Sequence, residues 1–250
     1  MFKIQYLKSL KEQEAGIKKS IPIEKIRSFL KTLPFSLTKD QQKAIKDGLT
    51  DLSSTKRMNR LLLGDVGSGK TIVATTLLYA NTLAGYQSAF MAPTEILALQ
   101  HYESIRNLLK ETNIHVEYLV GSMSKKEKEK IAISVQKGDV DILIGTHAIL
   151  NEKLYFKNLA FIVTDEQHRF GVNQRSMLKE KGFLPDMLFM SATPIPRTYA
   201  LTIYGDMDTS LIKEKPNGRK EIITKIVKEK DLKEVLFKVL EAIKQNEQVY

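Results

Sequence analysis

The stretch "GDVGSGKT", residues 64–71, has the spacing G-x-x-x-x-G-K-T. It follows the apolar run "RLLL" (60–63) and precedes a segment, 70–84, whose composition is typical of a helix. Between a strand and a helix, such glycines let consecutive backbone N–H groups turn inward and form a nest for an anion. We therefore predict a phosphate-binding loop in which Gly67, Ser68 and Gly69 contact a nucleotide, rather than a glycine-rich turn without a ligand.

Two side chains at the end of this stretch carry the predicted chemistry. Lys70 is expected to reach the β and γ phosphates of ATP, and the Thr71 hydroxyl is expected to ligate Mg²⁺. Such a site needs a second acidic strand end for the metal. Asp165 and Glu166 follow the apolar run 161–163 directly. We predict Asp165 as the metal partner and Glu166 as the general base that polarises the attacking water.

Two neutral side chains, Gln167 and His168, follow the acidic pair. Beside a γ-phosphate, such donor–acceptor groups can relay the nucleotide state to a neighbouring strand end or lobe. The hydroxyls of Ser191 and Thr193, in "SAT" (191–193), are the predicted partners of this relay.

Short apolar runs alternate with helix-compatible stretches over much of the chain. The runs are 60–65, 88–93, 116–121, 140–146, 159–166 and 186–193, and the helical stretches include 70–84, 94–110 and 124–137. Runs that are hydrophobic throughout are typical of parallel strands covered on both faces. The predicted fold is therefore α/β, a mostly parallel sheet with helices on both faces.

Composition narrows the class of protein. The 250 residues include 39 Lys and Arg against 29 Asp and Glu, a net charge of +10, which fits either a polyanion partner or a solvated lysine-rich surface. The absence of cysteine excludes disulfides and thiolate metal sites and favours an intracellular protein. No apolar run approaches the ~20 residues that span a bilayer. We expect a cytoplasmic chain without membrane contact.

The pattern predicts three segments. Residues 1–33 are expected to form two short helices joined near Gly16, the second opened by Pro22, and residues 34–214 the α/β lobe. "KEKPNGRKE" (213–221) is typical of a linker, and 232–244 is strongly amphipathic. We expect residues 215–250 to be this linker and the truncated beginning of a second domain.

The strings "GDVGSGKT", "DEQH" (165–168) and "SATPIPRT" (191–198) together resemble the helicases of superfamily 2. Longer strings are similar to the RecG family, the bacterial ATP-dependent helicases of branched and stalled-fork DNA. They are "APTEILALQHY" (92–102), "GTHAIL" (145–150), "DEQHRFGVNQR" (165–175), "MSATPIPRT" (190–198) and "YGDMD" (204–208). The similarity covers residues 33–221. The transcription–repair coupling factor shares the general module, but a second acid would be expected there in place of Gln167.

The resemblance implies a RecA-like first motor lobe and further site residues. In "PFSLTKDQ" (34–41), Gln41 would hydrogen-bond the adenine and Phe35 would pack on it. Ser191 and Thr193 would couple hydrolysis to strand movement. The residues that would contact the nucleic-acid backbone are Pro93, Thr94, Gly121 and Thr146.

The resemblance also implies a function. The whole protein would be a monomeric, ATP- and Mg-dependent DNA translocase of the bacterial cytoplasm, associated with the nucleoid. It would act on branched, fork or Holliday-junction DNA in replication restart and recombinational repair. The family's N-terminal wedge domain is not expected within these 250 residues, and residues 1–33 resemble only the helical connection after it. Of the second motor lobe, which carries arginine fingers, only the beginning in 215–250 is expected. The chain alone would therefore bind ATP·Mg but hydrolyse it poorly.

Three alternatives stay open. An RNA helicase or another translocase differs in which nucleic acid stimulates its ATPase. A P-loop transporter subunit or a nucleotide kinase needs a signature glycine–serine motif or an acceptor pocket, and the sequence shows neither. A non-catalytic DNA-binding module would not need the residues predicted for hydrolysis.

Overall fold

The computed structural model of the protein describes residues 16–151, 153–165, 185–192, 207–214, 226–228, 232–246 and 248–249. The chain divides into two compact units, Met1–Asn217 and Gly218–Tyr250. The described part of the second unit has one helix, and the first unit carries a sheet covered by helices.

The described part of the first unit has seven strands in a single sheet. In chain order they are β1 (Asn59–Gly64), β2 (Gln87–Met91), β3 (Val116–Leu119), β4 (Ile142–Gly145), β5 (Leu159–Thr164), β6 (Asp186–Ser191) and β7 (Asp208–Ile212). Their order across the sheet is β3-β4-β2-β5-β6-β1-β7, and every neighbouring pair is parallel. The carboxyl ends of all seven strands therefore share one edge, where ligands bind in such sheets.

Helices connect the strands. They are α1 (Ile23–Lys31), α2 (Lys39–Leu52), α3 (Lys70–Leu83), α4 (Glu95–Leu108), α5 (Lys125–Lys137), a short 3-10 helix (His147–Leu150) and, in the second unit, α6 (Leu232–Lys244). Side-chain hydrogen bonds cap the N-termini of several of these helices. Thr38 and Gln41 form a reciprocal capping box at α2, and Ser124 and Glu127 form another at α5. None of the described helices has the length and apolar character needed to cross a membrane.

The two large hydrophobic clusters of the described residues lie one on each face of the sheet. On one face, α1 to α4 bury residues such as Phe29, Ile45, Leu77 and Ile105 against alternate strand residues. On the other face, α5 and the 3-10 helix bury Ile131, Val135, Ile149 and Leu150 against the intervening strand residues. This two-sided burial explains why the strands are apolar throughout, and it confirms the predicted α/β fold.

Some parts of the chain differ from the predictions or lie outside the described residues. Strand β7 was not predicted, because only two of its five residues, Ser210 and Ile212, are buried. Pro22 stands just before α1 as its N-cap rather than inside it. The first predicted N-terminal helix falls within residues 1–15, outside the description. Residues 226–228, beyond the predicted linker, have no regular structure.

Polar contacts hold β7 at the sheet edge beside α2. The Arg60 guanidinium of β1 donates to Ser210 Oγ at 2.9 Å and to the Asp51 carboxylate at 2.6 Å. Beyond the strand, the Asp40 carboxylate accepts the backbone N–H groups of Lys213 and Glu214 at 2.8 and 3.0 Å. These hydrogen bonds lower the pKa of Asp40. Side-chain contacts therefore position an edge strand whose own pattern is weak.

A buried ion pair lies at the opposite edge from the carboxyl ends. Lys19 Nζ donates to Asp186 Oδ2 at 2.5 Å and to the Ala160 carbonyl at 2.9 Å. Asp186 Oδ1 accepts the Met58 N–H at 2.6 Å. The side chains are 0% and 4% exposed. Burial lowers the pKa of Lys19 and raises that of Asp186, because desolvation opposes each charge more than its partner favours it. The pair holds the chain before α1 against the start of β6.

Replacing Lys19 by methionine should destabilise the protein strongly, because Asp186 would be left as a buried carboxylate without its cation. The expected loss in the free energy of unfolding is about 3–5 kcal/mol. The exposed pair Arg27–Glu24, at 2.7 Å, gives a matched control, and Arg27→Ala should cost less than about 1 kcal/mol. Urea unfolding followed by circular dichroism measures both. Equal effects of the two substitutions would contradict the structural role of the buried pair.

Candidate nucleotide-binding site

The loop between β1 and α3 has the backbone form that its glycines predict. Gly67 and Gly69 have φ angles of +75° and +88°, a backbone region that residues other than glycine rarely adopt. Gly69 is also the residue directly before α3, and the Ser68 N–H donates to the Asp65 carbonyl at 3.1 Å. The loop therefore turns sharply into a helix N-terminus, where partial positive charge favours an anion.

Lys70 is the first residue of α3, and its side chain folds back over the loop. Its Nζ donates to the carbonyls of Gly64 and Asp65, at 2.7 and 3.0 Å. The ammonium group thus lies over the loop that is predicted to hold phosphates, and it could exchange these carbonyls for phosphate oxygens. Thr71 follows in the same first turn and is partly buried.

Gln41 links α2 to this loop. Its Oε1 accepts the Thr38 N–H at 2.9 Å, and its Nε2 donates to the Ser68 carbonyl at 2.8 Å. The side chain is buried. A Cβ atom on Gly69 would lie 2.2 Å from Gln41 Nε2, so a side chain there would force the Gln41 amide to shift, in addition to straining the backbone at its positive φ. Gln41 therefore holds the phosphate loop against α2 through its hydrogen bond to Ser68.

Phe35 lies in the loop between α1 and α2. It is 48% exposed and lines a hollow of about 660 Å³. The apolar residues around it are Leu30, Leu33, Pro34, Leu37 and Ile45, and Gln42 contributes to its wall. Gln41 is not among the lining residues. Gln41 and Phe35 therefore do not share this hollow, and the contact of each with a base remains a prediction.

Asp165 directly follows β5. In the sheet, β6 lies between β5 and β1, the strand that leads into the phosphate loop. Its backbone N–H donates to the Met91 carbonyl at 2.8 Å, and its side chain is 12% exposed. One carboxylate oxygen, Oδ2, lies 2.9 Å from His101 Nε2. A carboxylate can only accept here, so Nε2 carries the hydrogen. Sequence reasoning missed this contact, because nothing in the spacing of the two residues predicts it.

The other predicted partners of the acidic strand end are only partly described. Ser191 ends β6, is 4% exposed and pairs with Leu63 of β1, so it lies between the ends of β5 and β1. Glu166, Gln167, His168 and Thr193 lie outside the described residues. Their roles stay predictions.

The predicted nucleic-acid contacts fall on neighbouring strand ends. Pro93 and Thr94 follow β2, and Thr94 caps α4 by accepting the Leu97 N–H at 3.3 Å. Gly121 follows β3 and is exposed. The Glu95 carboxylate joins the two places by accepting the N–H and hydroxyl of Ser122, at 2.9 and 2.5 Å. These hydrogen bonds lower the pKa of Glu95.

Thr146 differs from the other three predicted contacts. It follows β4 and is 2% exposed, and its hydroxyl is buried without a hydrogen-bond partner. Its hydroxyl therefore does not face an external phosphate in this structure. At the adjacent Gly145, β4 approaches β3 so closely that a Cβ there would lie 1.9 Å from the Leu119 carbonyl oxygen.

The candidate site has oxygen donors for a metal ion. Within the described ranges, no three His, Asp or Glu side chains form a cluster that could enclose an ion. Mg²⁺ keeps several waters and needs only one or two protein oxygens beside substrate phosphates. The Thr71 hydroxyl and the Asp165 carboxylate are oxygen donors of this kind.

Comparisons with known proteins agree with this geometry. Residues 38–202 match the family model of the DEAD/DEAH box helicases. The chain is 47% identical to the ATP-dependent DNA helicase RecG of Bacillus subtilis over 98% of its length, and 48% identical to that of Aquifex aeolicus over its whole length. It spans 36% and 32% of these relatives. A solved structure of RecG bound to a three-way DNA junction superposes with a TM-score of 0.86 at 44% identity, covering 97% of this chain and 33% of that one.

Replacing Gly69 by alanine should abolish tight nucleotide binding, because the new methyl group would displace Gln41 or the loop. Gly85→Ala is the matched control. Gly85 has nearly the same φ, +90°, but open space where its Cβ would stand. Both variants should lose on the order of 1–2 kcal/mol of stability from backbone strain. Titration with a fluorescent ATP analogue should show a loss of more than about tenfold, or 1.4 kcal/mol, only for Gly69→Ala. Equal affinities of the two variants would contradict the steric role of Gly69.

Proposed function

The chain belongs to the family of DEAD/DEAH box helicases, and from this membership we propose that it is the first, ATP-binding motor lobe of a helicase that acts on branched DNA. The relatives that support the substrate class are about three times longer than this chain. Activity on branched DNA is therefore proposed for the whole protein to which such a lobe contributes.

One observation carries the proposal. The Lys70 ammonium lies over a left-handed glycine loop, and the Asp165 carboxylate stands two strands away on the same edge of a parallel sheet. This pairing of a phosphate cradle with an acidic strand end is the arrangement that nucleotide hydrolysis needs. Its position within a sequence similar to RecG supports DNA translocation over other uses of ATP.

In the proposed site, Lys70 would neutralise the β and γ phosphates after releasing the Gly64 and Asp65 carbonyls. Thr71 and Asp165 would hold Mg²⁺, which would offset the negative charge of the phosphates. Glu166 would accept a proton from the attacking water. Gln41 would keep the loop in shape, since its amide hydrogen-bonds the Ser68 carbonyl.

The proposed nucleic-acid surface is the edge formed by Thr94 and Gly121. Helix α4 begins there, and its N-terminus can bind a backbone phosphate. The Glu95–Ser122 contact fixes the two strand ends relative to each other. Lys128 donates to the Gly121 carbonyl at 2.5 Å and adds positive charge beside this edge. Thr146 would support the edge from within rather than bind the strand.

The two carboxylates should separate binding from turnover. Asp165→Asn is expected to weaken Mg²⁺-dependent nucleotide binding, because a metal partner is lost. Glu166→Gln is expected to keep that binding but to abolish hydrolysis, because only the base is lost. Nucleotide titrations with and without Mg²⁺, beside steady-state hydrolysis, measure the difference. Identical behaviour of the two variants in both assays would refute this division of roles.

Hydrolysis by the 250-residue chain should be slow. An arginine finger supplied from outside the phosphate loop is worth roughly a thousandfold or more in rate, and the resemblance assigns such fingers to a second lobe. We expect the chain to bind ATP yet turn it over at least about a thousandfold more slowly than the full-length Bacillus subtilis relative. Lys70→Ala provides the background rate for the assay.

Three-way junction DNA and an RNA of the same sequence should be added in parallel to the full-length relative and to the chain. Stimulation of the relative by DNA and not by RNA is the expected result. If the 250-residue chain hydrolysed ATP as fast as the relative, the catalytic site would be complete within it. If Lys70→Ala bound ATP as well as the native chain, the nucleotide-binding proposal would fail.

A further inference from the structure

We propose that His101 is a positioning residue that holds the Asp165 carboxylate in the orientation required for Mg²⁺-nucleotide binding. This inference rests on the proposed function, since it concerns the same site. None of the motif assignments above gave His101 a role. The side chains of His101 and Asp165 are in direct contact.

The geometry of the contact is that of a directed hydrogen bond. His101 Nε2 and Asp165 Oδ2 are 2.9 Å apart, and the two side chains are 13% and 12% exposed. Low exposure means that water competes weakly for either group, so the bond is stronger than one on the surface. Because Nε2–H donates to one oxygen, rotation of the carboxylate about its Cβ–Cγ bond is restricted.

The imidazole is itself held in place. Its ring lies 4.5 Å from the ring of Phe90, centroid to centroid, with the planes inclined by 45°. Phe90 is fully buried in β2, next to β5 in the sheet, so it is a rigid support. Helix α4 supplies the second support, since His101 lies in its second turn after the Thr94 cap. A ring fixed on two sides can fix the carboxylate that it touches.

If His101 served only for packing, its substitution would have different effects. Were His101 present only to cover Phe90, an apolar side chain of similar size would replace it without effect on metal dependence. Were it a positioning residue, the hydrogen bond would matter more than the ring. Glutamine can place an amide N–H near the location of Nε2, whereas leucine can cover Phe90 but cannot donate. These two substitutions separate the roles.

The experiment is a Mg²⁺ titration of nucleotide binding by the native chain, His101→Leu and His101→Gln, using a fluorescent ATP analogue. Groups that orient a metal ligand typically change metal affinity by 10–100-fold when removed, so His101→Leu should raise the half-saturating Mg²⁺ concentration roughly tenfold. His101→Gln should restore it to within a few-fold of the native value. Binding in the presence of EDTA should be unchanged, and thermal unfolding reports any loss of packing separately.

His115→Leu is the matched control. His115 is exposed, and its Nδ1 lies 2.5 Å from the Asp139 carbonyl, away from the acidic strand end. Its replacement should leave the Mg²⁺ titration unaltered. A His101→Leu curve that superposes on the native one, with or without a lower melting temperature, would overturn the inference while leaving the proposed function intact. If the native chain itself showed no Mg²⁺-dependent nucleotide binding, both the inference and the proposed function would fall.

Discussion

The parallel pairing of β5, β6 and β1 is the constraint on which the candidate site depends. The register sets Leu63 beside Ser191 and Thr164 beside Phe189, so three segments far apart in the chain end at one edge. The backbone hydrogen bonds between neighbouring strands fix where each strand ends relative to the next. The phosphate loop, the acidic strand end and the hydroxyl of Ser191 are neighbours for this reason, and no side chain has to draw them together.

Strand β6 shows how this arrangement is kept rigid. It begins at Asp186, which is held by Lys19 and by the Met58 N–H, and it ends at Ser191. One end of the strand is thus fixed by a buried charge pair, while the other end lies among the candidate site residues. Because burial opposes both charges, the pair specifies the position of the segment before α1 more than it adds stability. The apolar core on both faces provides the stability.

The sequence predicted the regular parts well, because the strands buried on both faces are apolar throughout and the helices between them are long. The predicted runs 60–65 and 159–166 became Asn59–Gly64 and Leu159–Thr164, and the predicted helix 124–137 became Lys125–Lys137. Contacts between distant residues were not predictable in this way. Strand β7, the Lys19–Asp186 pair and the His101–Asp165 bond all depend on tertiary neighbours, as does the burial of Thr146. Local pattern carries no information on which polar side chains will meet.

The contact of Gln41 with the phosphate loop has a consequence for how this sequence can evolve. The amide of Gln41 occupies the space that any side chain at position 69 would need, and it also caps α2 through Thr38. A shorter residue at position 41 would open that space but would leave the Ser68 carbonyl and the start of α2 without their partner. Neither position can therefore change first without loss. A change at both positions would therefore have to pass through a less favourable single variant. We expect Gln41 and Gly69 to stay the same while the surrounding surface residues vary.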